Sequence, residues 1–227
     1  RDRQEADRFT PAQDDSRLTA GLMWQTVERT AQDLGLDTEV TAFCPRQDNV
    51  EILCITVRNQ QEQPRWLTPI AAVPLYGRSA DNIRDHRNVT SMLHRIWTTE
   101  NGVMVRPTMS FDERGHRPNH KVYYVEGFGP EGQKPEAFYP TVESFLGEGG
   151  TYLHPRAVYE QYPGVKAGSR AEGREAMGAF RFPAITLAPG QEAHYVLLLG
   201  VEDSEEAVNA IWDKYHSCLL YTSPSPR

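Results

Sequence analysis

The run "LDTEVTAFCP" (residues 36–45) constrains this chain most, because Leu36, Thr38, Val40 and Ala42 alternate with Asp37, Glu39 and Thr41. A period of two sends successive side chains to opposite faces, which a strand does and a helix does not. "NVEILCITVRNQ" (residues 49–60) follows across the polar turn "RQDN" and is rich in β-branched residues, so it is a second strand. "QEQP" turns the chain again into "RWLTPIAAVPLYG", an extended stretch whose Pro69 and Pro74 place it at a sheet edge or bulge. "HKVYYVEGFG" and "HYVLLLGV" are further strands, the latter preceded by the stop "LAPGQEA". Many short strands with Pro and Gly punctuation predict an all-β protein, a large antiparallel β-sandwich with short flanking helices.

Two helices are expected. Met23, Val27, Ala31 and Leu34 are spaced for one amphipathic helix closed by Gly35. "DSEEAVNAIWDKY" predicts the other, with Asp203 or Ser204 as cap, Glu205 and Glu206 in the first turn, and Ala207, Ile211 and Tyr215 on one face. Residues 1–20 are polar and expected to fray. The closing "CLLYTSPSPR" shares no pattern with the rest and resembles translated adapter read-through, so the reading frame is expected to be truncated. The expected organisation is a polar segment with a short helix over 1–35, a β-sandwich over 36–202, a helix over 203–216 and a non-native tail over 217–227.

A length of 227 residues suits one large sandwich, and a hydrophobic fraction of 39% is enough for its core. The net charge of −7 argues against a nucleic-acid partner, which calls for a basic face. No window reaches the ~18 consecutive apolar residues of a membrane span, and no leader is visible, so a cytoplasmic protein without membrane contact is expected. Cys44, Cys54 and Cys218 form no C-x-x-C pair, which indicates neither a disulfide framework nor a metal site. Cys44 and Cys54 are expected to be buried hydrophobes.

Charge is concentrated in two segments. "YGRSADNIRDHRNVTSMLHR" (residues 76–95) gathers Arg78, Asp81, Arg84, Asp85, His86, Arg87, His94 and Arg95, and "RPTMSFDERGH" (residues 106–116) adds Asp112, Glu113, Arg114 and His116. These groups either neutralise one another in loops over the sheet or form a polar wall for a hydroxyl-rich or anionic ligand. Asp112 and Glu113 are neighbours, so in a strand they face opposite ways and cannot flank one glycosidic bond. A turn held by Asp112, with Gly115 at a backbone angle other residues avoid, is the simpler expectation. "FLGEGG" (residues 145–150) lacks the Lys-Ser/Thr of a phosphate loop and is expected to be a tight turn. No Ser-His-Asp set, H-E-x-x-H or G-x-S-x-G is present, so no self-contained active site is legible.

The runs "LTPIAAVPLYGRSADNIRDHRNVTSMLHRI", "GVMVRPTMSFDERGH", "FYPTVESFLGEGG" and "EAMGAFRFPAITLAPGQEAHYVLLLG" resemble the N-terminal sandwich of family 94 glycoside phosphorylases. "VEILCITVRNQQEQPRWLTPIAAV" is similar to the family's strand ending in Asn, short turn and second strand. The wording of residues 74–95 looks closest to 1,2-β-oligoglucan phosphorylases. The resemblance implies a galactose-mutarotase-like super-sandwich, followed in the whole enzyme by a helical linker and an (α/α)6 barrel. It implies a homodimer that splits β-glucan oligosaccharides with inorganic phosphate as co-substrate and no cofactor, inverting the anomeric centre to give α-glucose 1-phosphate. Its catalytic acid and phosphate ligands lie on the barrel, so no catalytic residue is carried onto this sequence. Arg78, Asp81, Arg84, Asp85, His86, Asp112, Glu113, Arg114 and His116 are instead candidates for an interface or a substrate loop. Two alternatives remain at this stage: a stand-alone carbohydrate-binding or interaction module, and part of a cyclic β-1,2-glucan synthase.

Overall fold

The computed structural model describes residues 15–76, 91–112 and 115–219. The large sheet runs, edge to edge, β1 (Asp15–Gly21), β2 (Trp24–Ala31), β3 (Leu36–Phe43), β4 (Val50–Asn59), β16 (Glu192–Glu202), β11 (Val122–Phe128), β8 (Gly102–Pro107), β7 (His94–Thr98) and β13 (Arg170–Glu172), numbered in chain order. Every neighbouring pair is antiparallel. A smaller sheet has the order β12 (Ala137–Thr141), β14 (Ala176–Arg181), β6 (Ile70–Pro74). Two pairs complete the strands, β5 (Arg65–Leu67) with β15 (Ile185–Leu187) and β9 (Met109–Asp112) with β10 (Gly115–Pro118).

Alternation along the central strands feeds two cores at once. Val103, Val105, Val125, Tyr195 and Leu197 point to one face of the large sheet and pack on Phe138 and Phe180 of the small sheet. Met104, Tyr124, Val196 and Leu198 point to the other face, where Val208, Ile211 and Trp212 of helix α3 (Glu205–Leu219) cover them. The outer face of the small sheet, with Tyr139 and Met177, is closed by α1 (Val142–Leu146) and α2 (Arg156–Tyr159). The fold is therefore an antiparallel β-sandwich flanked by short helices, as the alternation predicts.

Several local expectations hold. β6, carrying Pro74, is an edge strand of the small sheet, where a missing N–H removes no interior ladder bond. Ser204, rather than Asp203, caps α3, its Oγ accepting from the Ala207 N–H at 3.3 Å. Asp203 pairs with Lys121 instead. "FLGEGG" is the end of α1 and the turn after it.

The expected helix over 23–34 is a correction. Met23 sits in the turn between β1 and β2, and residues 24–31 are the strand β2. The spacing of four between Met23, Val27 and Ala31 fits one helical face, but it is also an even number that suits one face of a strand, and Leu34 lies in the turn after β2. Thr26, Val27 and Thr30 are β-branched and decide between the two readings. Gly35, at φ +62°, serves the β2–β3 hairpin rather than a helix end. Of the stretch expected to fray, residues 15–20 belong to β1, an exposed edge strand paired along its length with β2. The sandwich therefore begins before residue 36. Helix α3 also runs three residues past its expected end at 216, because no Gly or Pro interrupts it there. Cys44 is exposed rather than buried, since it lies just past β3 beside the β1–β2 turn, its N–H donating to Met23 O at 3.1 Å. Cys54 is half-buried, and burial pushes its thiol up to about 11.

Asn59 ends β4 and is fully buried. Its Nδ2 donates to the carbonyls of Gln63 at 2.9 Å, Leu187 at 3.0 Å and Ala188 at 3.3 Å, and its Oδ1 accepts from the Gln61 N–H at 3.0 Å. One amide thus ties the turn after β4 to the loop that leads into β16.

Candidate functional site

Most of the sequence-predicted candidates, Arg78, Asp81, Arg84, Asp85, His86, Glu113 and Arg114, lie outside the described residues. Asp112 and Gly115 are cross-strand partners at the tip of the β9–β10 hairpin, and Gly115 has φ +98°, as the expected turn requires. His116 is exposed on β10. What the structure brings together is the bases of the two segments. The N–H and the hydroxyl of Thr108, at the foot of the hairpin, both donate to Leu93 O at 3.1 Å, which ties residues 91–95 to residues 106–112. His94 pairs with Pro107 on adjacent strands, and its Nδ1 lies 3.1 Å from Arg174 O in a buried setting.

The face of the large sheet beyond α3 is polar near this end. The Arg106 guanidinium lies 5.8 Å over the Trp97 ring, a cation–π arrangement. The Ser204 hydroxyl beside Glu206 holds that exposed carboxyl below its usual range, with its own backbone N–H and Arg106 acting the same way. Arg95 pairs with Glu172 at 3.6 Å across β7 and β13. These exposed pairs set the local charge pattern and contribute little stability.

One carboxyl was not singled out from the sequence. Glu126, on β11, is fully buried on the face covered by α3. Its Oε1 accepts from Thr99 Oγ1 at 3.2 Å, and that hydroxyl in turn accepts the N–H groups of Asn101 and Gly102 at 3.1 Å each. Oε2 has no hydrogen-bond partner among the described residues. Burial pushes the carboxyl up to about 7; the Thr99 bond opposes this, and the α3 acids Glu205 and Asp213 add to it. The signal was present in "YYVEGFG", a lone acid within an apolar strand run. Enclosed as it is, Glu126 bears on the stability of the domain. Among the described residues no group of three or more His, Cys, Asp and Glu is placed to hold a metal ion, and no described helix is long and apolar enough to cross a membrane.

Comparison with known proteins gives one family. The model described as "Glycosyl hydrolase 94, supersandwich domain" matches residues 9–218. No curated protein matches the chain. Among solved structures, a heparinase III gene product aligns over 85% of this chain and 22% of its own at 10% identity and a TM-score of 0.39. A protein of Escherichia coli K12 described as a putative aldose 1-epimerase aligns over 83% of this chain and 68% of its own at 9% identity and a TM-score of 0.36. The chain thus spans 22% of the length of the heparinase. The family match, by contrast, covers both faces of the large sheet, the small sheet and α3, and the chain belongs to the glycosyl hydrolase 94 family as its supersandwich domain.

Proposed function

We propose that this domain is the sandwich of an inverting glycoside phosphorylase that splits β-glucosidic bonds, specifically those of β-1,2-gluco-oligosaccharides. The observation that carries the reading is the family match over residues 9–218; the wording of residues 74–95 supports the β-1,2 linkage. In this reaction a phosphate oxygen attacks the anomeric carbon from the α face, the β C–O bond breaks, and a carboxylic acid gives its proton to the leaving oxygen. The product is α-glucose 1-phosphate. Phosphate is the nucleophile, so no second carboxylate and no cofactor are needed. The chemistry belongs to a barrel outside this sequence, which the sandwich supports within a cytoplasmic homodimer.

A longer polypeptide carrying this domain and its barrel, given β-1,2-gluco-oligosaccharide and inorganic phosphate, is expected to release α-glucose 1-phosphate, while the 227-residue chain alone releases none. Absence of the sugar phosphate from the longer polypeptide, or turnover by the short chain, overturns the reading.

The candidate segments have a place in it. Their bases meet at Leu93 and Thr108, and loops at the end of a rigid sandwich are suited to completing a neighbouring surface. Arg84→Ala and Asp112→Ala are therefore expected to lower phosphorolysis or dimerisation of the longer polypeptide, with the urea midpoint of the isolated domain nearly unchanged. The opposite pattern, a large loss of domain stability with normal specific activity, would assign both residues to the structural role.

A further inference from the structure

β6 of the small sheet ends at Pro74, and the candidate segment over residues 77–90 comes soon after it in the chain. At the other end of the same sheet, where Ile70 pairs with Arg181, lies a cleft of about 750 Å³. That volume falls in the range of about 300–1,000 Å³ usual for small-molecule sites. Its lining includes Trp66 and Arg65 of β5, Thr38 of β3, Gln161 after α2, and Glu136 with Arg181. Apolar residues of β3, β4 and α2 make up much of the remainder.

Three features of this cleft are unusual for an idle surface. Trp66 is 64% exposed, whereas large apolar rings are ordinarily covered. Arg65, Trp66 and Gln161 make no side-chain hydrogen bond or ion pair among the described residues, so their donors and acceptors are available. Gln161 has φ +54°, a left-handed conformation that a residue with a side chain adopts at some strain and that gathers at binding sites. Alongside them Arg181 Nε donates to Glu136 Oε1 at 2.9 Å and its guanidinium also reaches Tyr162 O at 3.4 Å, which fixes this pair in place.

We propose that the cleft binds a short, neutral gluco-oligosaccharide. The flat indole offers a surface for the apolar C–H face of a pyranose, and the Arg65 guanidinium, the Gln161 amide and the Arg181–Glu136 pair offer directional partners for its hydroxyls. A neutral ligand suits this lining because Glu136 compensates Arg181 and only Arg65 carries an unmatched charge, so the cleft has no cluster of cations to hold an anionic chain. The choice of glucose units rests on the proposed function. It adds to that reading a second place on the protein that holds the same polymer, which raises the local concentration of substrate chain ends.

The test is binding to the 227-residue chain alone, titrated with β-1,2-gluco-oligosaccharides by calorimetry and by tryptophan emission. Of the four tryptophans, Trp66 is the one that lines the cleft. A saturable heat and a saturable emission change are expected, the latter absent in Trp66→Ala. Affinity should fall about tenfold in Trp66→Ala and several-fold in Arg65→Ala, at unchanged melting temperature. No saturable heat, equal affinity in Trp66→Ala, or tighter binding of a sulfated oligosaccharide than of the neutral one overturns the proposal. Because turnover is not read, a silent titration leaves phosphorolysis by the longer polypeptide standing, and a binding cleft on a protein that releases no sugar phosphate sinks only the catalytic reading.

Discussion

Asn59→Ala is expected to cost the domain about 3 kcal/mol, seen as a lower urea midpoint at unchanged slope. The substitution removes the contacts of the buried amide's two N–H bonds with three carbonyls and its one acceptance from Gln61, and the buried carbonyl of Leu187 is left without that donor. Stranding a buried acceptor costs about 1–3 kcal/mol, more than the net gain of making the bond. Asn59→Asp separates this account from simple packing. Aspartate keeps the shape and the bond from Gln61, but it sets acceptor oxygen against carbonyl oxygen at every other contact. It should be at least as damaging as alanine at neutral pH. A stable Asn59→Asp protein would show that volume rather than hydrogen bonding matters at the end of β4.

Glu126 makes the stability of the domain depend on pH in the direction opposite to most carboxylates. Its folded-state value of about 7 stands above the ordinary 4.5, so between those values the folded protein holds a proton that the unfolded chain has released. Stability from this group is fully present below about 4.5, falls as pH rises towards 7, and then levels off. The total is about 3 kcal/mol, because each tenfold difference in proton affinity between the folded and unfolded states is worth ~1.4 kcal/mol. Glu126→Gln should match the parent at about pH 4.5, exceed it by about that amount at about pH 8, and remove this part of the slope. Urea titrations of both proteins at several pH values would decide it. Parallel slopes would show that the carboxyl is ionised and solvated in the folded protein.

Legibility of the fold followed the physics of each segment. The alternation of residues 36–43 permits only a strand, and that stretch is β3. Residues 23–34 satisfied two periods at once, and the cross-strand partner that resolves them, Val27 opposite Val40, cannot be read from local spacing. The edge position of β6 was visible because proline announces it. Asn59 was visible as a strand end in the family pattern, but its role was not, since Leu187 and Ala188 are far along the chain. The Trp66 cleft was hidden for the same reason: Thr38, Trp66, Glu136, Gln161 and Arg181 belong to five separate segments that only the sandwich brings together.

The last strand among the described residues is a central strand of its sheet. β16 lies between β4 and β11, and its ladder to β4 joins residues far apart in the chain, beginning with Arg58 and Glu192 at a separation of 134 and widening towards Val50 and Gly200. During synthesis β1 to β4 can form one ribbon and β7, β8 and β11 another, yet neither has a neighbour to complete it until residues 192–202 have emerged. Such late, long-range closure gives a high contact order and slow folding, with two unpaired ribbon edges exposed in the meantime. A nascent chain stalled before residue 192 should therefore resist neither protease nor capture by chaperones, and protection should arrive in one step once β16 and α3 clear the ribosome.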